Sequence, residues 1–191
     1  MWPVTLTGDE ITLRAPRLRD RARWNNVRAE NKEWLSPWEA TLPQLPIDSP
    51  AYENLNKRPS FYEMVRNLNH EARAGRSYSF FIWEGSNLVG QITLGGVMYG
   101  ALRGAHIGYW IDRNFANRGF TTQSVKLVTA FAFSQLGLHR LEINVRPENA
   151  ASCRVAVKAG YIEEGHRQAF LHIDGAWRDH ICFVKNNELI Q

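Results

Sequence analysis

Ile107-Gly-Tyr-Trp-Ile-Asp112 leads through three residues into Ala116-Asn-Arg-Gly-Phe-Thr-Thr122, and a long apolar segment follows. The order reads as a strand, a tight loop centred on glycine, and the opening of a helix. Backbone N–H groups from Asn117 to Thr122 precede or open that helix and lack intrahelical partners. The positive end of the helix dipole points at the same spot. Gly119 lets a ligand approach the backbone closely, Arg118 adds charge, and Thr121 and Thr122 add hydroxyl donors. Such a cradle binds a phosphate or pyrophosphate without a metal. Standing alone, the same residues also describe an ordinary strand-to-helix turn.

A second junction, Arg146-Pro-Glu-Asn-Ala-Ala-Ser152, opens a helix that ends at Gly160, with Asn149 in the N-cap place. Working outward, Ile11–Arg14 reads as a strand, and Asp20 as the N-cap of a helix to Glu30 with Trp24 and Val27 on its inner face. Residues 37–59 hold five of the eight prolines and form an extended connection. Ser60 and Glu63 make a capping box for a helix to Arg73, stopped by Gly75. Strands at 78–83 and 88–94 flank a Glu84-Gly-Ser-Asn87 turn, and a further strand spans 106–111. Val125, Val128, Ala132 and Leu136 repeat at helical spacing over 122–136, and Gly137 stops that helix. Strands at 141–145 and 161–168, a turn at Asp174-Gly175 and a last strand at 179–185 complete the chain. The expectation is one α/β (α+β) domain over residues 1–191, with a mixed, mostly antiparallel, seven-stranded sheet flanked by helices.

The 191 residues suffice for one domain with a proper core, and 44% hydrophobic with 22% charged residues is ordinary for a globular protein. The net charge of +4 is too small to define a nucleic-acid binder, although arginine supplies 18 of the 23 basic residues. Arginine pairs with phosphate and carboxylate better than lysine does. The run from Arg14 to Arg23 lacks interleaved aromatics and reads as a solvated face, so no direct nucleic-acid contact is expected. Cys153 and Cys182 fit no metal-ligand spacing and no secretory framework. Neither a signal peptide nor a membrane span is legible, which makes the cytoplasm the expected compartment. A monomer and a homodimer are both open.

The two junctions in this order resemble the cofactor-binding core of the GNAT family of N-acetyltransferases, and more narrowly its RimJ/RimL branch, which acetylates protein N-termini. The likeness spans residues 10–185 and is strongest over 104–165. It implies acetyl-CoA as cosubstrate and no metal. It also implies that the 106–111 strand splays from the 141–145 strand, leaving a V-shaped gap where backbone groups of Trp110 and Ile111 pair with pantetheine. The Asn117–Thr122 loop would hold the pyrophosphate, Asn149 would lie by the pantetheine arm, and Ser152 near the sulfur. The family signature of Arg or Gln, two residues, Gly, one residue, then Gly or Ala is met here at Gly119, with Ala116 and Thr121 at the other two places. Many relatives carry a tyrosine seven residues after the asparagine; here Ala156 stands there, and the branch likewise keeps only the serine. A thiol of pKa about 8.5 leaves readily and needs only a hydrogen bond.

The resemblance implies as acceptor a protein or peptide N-terminus, a ribosomal protein among the candidates. An α-amine of pKa about 7.7 to 8.0 needs far less help to lose its proton than lysine at about 10.4. His106, whose imidazole titrates in the useful range, is the first candidate base and Glu142 the second. A water relay would also serve, and Glu142 has the alternative of a structural pair with Arg140 or Arg146. Trp34 and Trp38 suit either an acceptor groove or the core, and Trp177-Arg-Asp-His180 closes the last hairpin. Two rival readings stand beside this one: acetylation of a small amine, and a module that binds acetyl-CoA or a ribosomal partner without turnover.

Overall fold

The computed structural model describes residues 2–44 and 59–188, and places eight strands in one sheet. They are β1 (Thr5–Thr7), β2 (Thr12–Arg14), β3 (Tyr78–Glu84), β4 (Asn87–Met98), β5 (Gly104–Ile111), β6 (Arg140–Val145), β7 (Ile162–Ile173) and β8 (Ala176–Asn186). Their order across the sheet is β1-β2-β3-β4-β5-β6-β8-β7, and every neighbouring pair is antiparallel except β5 with β6. The count exceeds the expected seven by the edge strand β1, whose three residues are too few to show a period. β7 and β8 also run longer than expected, meeting at Asp174-Gly175, where both residues take positive φ as a tight hairpin turn requires.

Among the described residues five α-helices accompany the sheet: α1 (Arg21–Glu30), α2 (Lys32–Leu35), α3 (Phe61–Arg73), α4 (Phe120–Ser134) and α5 (Ala150–Lys158). Ser60 and Glu63 form the reciprocal capping box at the start of α3. Asp20 does not cap α1 as expected. It is itself helical, and its buried carboxylate accepts two hydrogen bonds from Arg14 and one from the Arg17 N–H. An ion pair at 2.7 Å outcompetes the cap. Helix α4 begins at Phe120, two residues before the periodic apolar run, because Gly119 supplies the turn.

The sheet separates two clusters. Phe80, Ile82, Ile92 and Ile107 pack on one face with Phe120, Val125, Val128 and Ala132 of α4 and Ala156 of α5. On the other, Phe81, Trp83 and Leu88 pack with Val27 of α1, bordered by Trp24 and by Phe61 and Met64 of α3. Residues 45–58, most of the expected proline-rich connection, lie outside the described residues. Its first part is held in place, since Ala40 bridges to Ile173 at the β7–β8 turn. Among the described residues no helix is long and apolar enough to cross a membrane.

Candidate active site

β5 and β6 pair only at Gly104↔Arg140, Ala105↔Leu141 and His106↔Glu142. Beyond that point β5 keeps to β4 as far as Gly90↔Ile111, and β6 keeps to β8 as far as Val145↔Ile181. Each strand is therefore secured on its outer side while the sheet opens between them. Backbone donors and acceptors along the two inner edges are left without a ladder, an arrangement that takes up an extended ligand as it would a strand. One group there is already engaged: the Ile111 carbonyl accepts from Trp34 Nε1 at 3.1 Å, which ties α2 to the end of β5.

The loop beyond β5 turns through a short 3-10 turn at Arg113–Phe115, where the buried Asp112 carboxylate accepts from the Asn114 N–H at 3.0 Å. Asn117 and Gly119 then take left-handed backbone, with φ of 63° and 83°. Gly119 is the N-cap of α4, and no side chain caps the helix. The Gln123 N–H finds the Gly119 carbonyl at 2.9 Å, while the N–H groups ahead of it have no such helical partner. A Cβ built on Gly119 would meet nothing within 4 Å, so the donors open onto free space. Phe120 is 2% exposed and anchors the turn in the core, which limits its part in the cradle to its N–H. Arg118 lies over the Phe120 ring at 4.5 Å and pairs with Glu84 at 3.3 Å, while Thr121 and Thr122 are half-buried.

Asn149 caps α5, its Oδ1 accepting from the Ser152 N–H at 3.0 Å. Ser152, in the first turn, points its Oγ at the Tyr109 hydroxyl, 2.9 Å away. Strand alternation sends Tyr109 to the same face as Ile107, toward α4 and α5. Burial pushes its hydroxyl pKa up to about 12, and the Ser152 bond offsets part of that rise. The phenol keeps its proton at neutral pH, and either hydroxyl of the pair can donate to the other. Sequence reading missed Tyr109 because its strand is apolar enough to be plain core. The available signal was that a buried tyrosine needs a partner for its hydroxyl.

The opposite face of β5 lines a cleft of about 320 Å³ with His106, Trp110, Trp38, Arg28, Glu39 and Gln91 around it. His106 is exposed at the cleft floor and lies against Gly95, where an added Cβ would come within 2.8 Å of Nε2. Its pKa is lowered, chiefly because the surrounding walls withhold water, with Glu142 opposing. At neutral pH the ring is uncharged and able to accept a proton. Glu142 sits opposite it in register but is gripped by Arg140 at 2.9 Å and Arg167 at 2.8 Å. Desolvation acts against these arginine bonds, and the net effect is a pKa below the ordinary carboxylate value. Arg146 does not join this pair; it donates to the Pro37 carbonyl at 2.8 Å and lies over the Trp38 ring. Glu39 pairs with Arg28, whose guanidinium rests 5.2 Å over Trp110. Glu142, Glu164 and Cys182 have donor atoms close enough to hold a cation, but Arg140 bridges both carboxylates.

A mixed sheet that parts between its two parallel strands, with an uncapped glycine turn at one end of the gap, defines the architecture of a GNAT acetyltransferase. The chain belongs to that family: the acetyltransferase (GNAT) domain matches residues 10–162. Among its relatives, "Probable N-acetyltransferase YjcK" of Bacillus subtilis is 32% identical over 177 residues, spanning 92% of this chain and 93% of that one. The ribosomal protein uS5-alanine N-acetyltransferase of Escherichia coli is 25% identical over 181 residues, 93% of this chain and 88% of its own. The structure of Mycobacterium smegmatis RimJ in complex with CoA-disulfide matches with a TM-score of 0.87 at 34% identity, covering 99% of this chain and 90% of that one. The protein is an N-acetyltransferase, and its kin are of the RimJ/RimL type.

Proposed function

We propose that this enzyme transfers the acetyl group of acetyl-CoA to the α-amino group of a protein or peptide N-terminus, a ribosomal protein being the natural candidate. The observation that carries the reading is the parting of β5 from β6 after His106↔Glu142. That gap connects an open phosphate cradle, a pair of hydroxyls and an aromatic cleft on the other face. The pantetheine arm fits the gap as an added strand, with backbone groups of Trp110 and Ile111 along one side. The N–H groups from Asn117 to Thr122 suit the pyrophosphate, and the free space over Gly119 supports that fit.

Acetyl-CoA supplies the thioester that the amine attacks directly. The amine enters from the cleft and gives up a proton to neutral His106 or to water beside it; a new C–N bond forms as the C–S bond breaks. In this scheme a β5 backbone N–H steadies the developing oxyanion. Ser152, backed by Tyr109, donates to the departing thiolate. Glu142, held by two arginines, serves as a structural anchor in this scheme.

The test offers one peptide with a free N-terminus beside the same peptide N-terminally blocked and carrying lysine, with a panel of small amines alongside. Mass spectrometry is expected to find acetyl on the free N-terminus alone. Comparable acetylation of the blocked peptide overturns the α-amine assignment, and turnover confined to a small amine overturns the peptide acceptor.

A further inference from the structure

A second cavity, about 410 Å³, opens beside β2 and the β3–β4 turn and shares no lining residue with the acceptor cleft. It lies on the α1 side of the sheet, since Trp83 in its wall belongs to the Val27 cluster, whereas the cofactor helix α4 packs on the other face. Arg14, Arg19 and Arg23 line it, together with Asp20 and the hydroxyl-bearing Thr12 and Ser86. Asp20 is the sole carboxylate in that lining among the described residues, and both its oxygens are engaged. Its two oxygens take Arg14 at 2.7 and 2.8 Å, and one of them also takes the Arg17 N–H at 2.8 Å. Among the described residues Arg19 and Arg23 form no ion pair, and Arg23 lies 5.8 Å over the Trp83 ring. Trp83 is 7% exposed, carries the Arg14 guanidinium 4.1 Å over its ring, and buries its Nε1 without a hydrogen-bond partner. The pocket is thus rich in donors, its carboxylate is already taken, and it holds two positive charges without an ion-pair partner. The segment that reads from sequence as a solvated arginine face contains a built recess.

We propose that this recess binds a phosphate group, with Arg19 and Arg23 as its charged ligands and Thr12 and Ser86 as hydroxyl donors. Arg14 is the fixed wall, held by Asp20 and Trp83. Two guanidinium forks match the tetrahedral oxygens of a phosphate, singly charged as a diester and up to doubly charged as a monoester, better than the planar pair of oxygens of a carboxylate. The phosphate can belong to a free mononucleotide or to an RNA backbone. Arg17 and Arg21 are exposed in the same segment but lie outside the recess, so they contribute only a general field.

The experiment uses the full chain saturated with acetyl-CoA, which keeps the cofactor loop filled. Binding of a labelled single-stranded RNA of about 12 nucleotides is read by fluorescence anisotropy, and binding of AMP by calorimetry. Arg19→Gln/Arg23→Gln is compared with Arg17→Gln/Arg21→Gln, which removes the same charge from outside the pocket. The pocket pair is expected to raise Kd about tenfold and the control pair by less than about threefold. AMP that binds and displaces the RNA identifies a site for any phosphate monoester; RNA that binds where AMP does not identifies the backbone as the source. Equal weakening by both pairs means diffuse attraction and overturns the proposal, as does a wild-type chain that binds neither probe. Acetyl-CoA affinity, unchanged in both variants, shows that the fold survives. Because the readout is binding and not turnover, the result stands apart from the acceptor assignment.

Discussion

Tyr109 and Ser152 share one hydrogen bond at 2.9 Å, and this makes them a unit in any account of the leaving group. The family's usual tyrosine place is occupied by Ala156, which is fully buried and cannot donate. A phenol nevertheless arrives from β5, and its raised pKa keeps it protonated. If Ser152 donates to the thiolate and Tyr109 orients Ser152, Ser152→Ala lowers kcat about tenfold, near 1.4 kcal/mol, with little change in KM for acetyl-CoA. Tyr109→Phe keeps the ring in place and lowers kcat by less, and the double variant is no worse than Ser152→Ala. Steady-state kinetics on the three proteins decide it; a Tyr109→Phe loss that exceeds the serine loss makes the tyrosine the donor. His106 gives a pH prediction of definite sign. A base works deprotonated, and the desolvated ring has its pKa below 6.5. The kcat/KM profile therefore falls on the acid side below pH 6.5, separately from the limb near pH 8 that belongs to the acceptor amine. In His106→Gln the lower limb disappears; a profile unchanged by the substitution assigns the proton to water.

At the scale of elements, the glycine turn into α4 is the most exacting piece. Its φ of 83° lies where a β-branched residue is strained even though the space around it is empty. Gly119→Val is therefore expected to act through backbone strain of about 1–2 kcal/mol, not through a clash. Either the helix start rearranges or the strain is carried, and the Kd for CoA rises about tenfold while the core is retained. Calorimetric titration of CoA against both proteins checks this, and an unchanged Kd puts the cradle elsewhere. The turn was legible in the sequence because glycine has a specific steric reason to be there. Asp20 was misread because its cap signal is local, whereas the Arg14 partner that claims it sits on a neighbouring strand. β1 escaped notice for a related reason: three residues acquire strand character only by pairing with β2. Tyr109 was legible as a strand residue, but its partner on α5 lies 43 positions away and no periodicity reports it.

For the whole molecule, the gap between β5 and β6 is a property of two ladders that diverge, and no single segment encodes it. Family likeness supplied that expectation where local pattern could not. The same geometry makes ligand binding and fold stability one quantity. An opened sheet centre leaves backbone groups of two interior strands without partners, and a ligand that fills it joins the α4 side of the molecule to the α5 side. Acetyl-CoA binds the folded state and has no site in the unfolded chain, so at a hundredfold excess over Kd it adds about 2.7 kcal/mol. For a chain of this size that corresponds to a rise in Tm of roughly 5–10 °C. ATP offers phosphates to the same cradle but no pantetheine to the gap, and a smaller shift is expected from it. A melting series with acetyl-CoA, CoA and ATP measures the difference. Equal shifts from all three would mean that the cradle alone binds and that the parting of the strands plays no part in holding the cosubstrate.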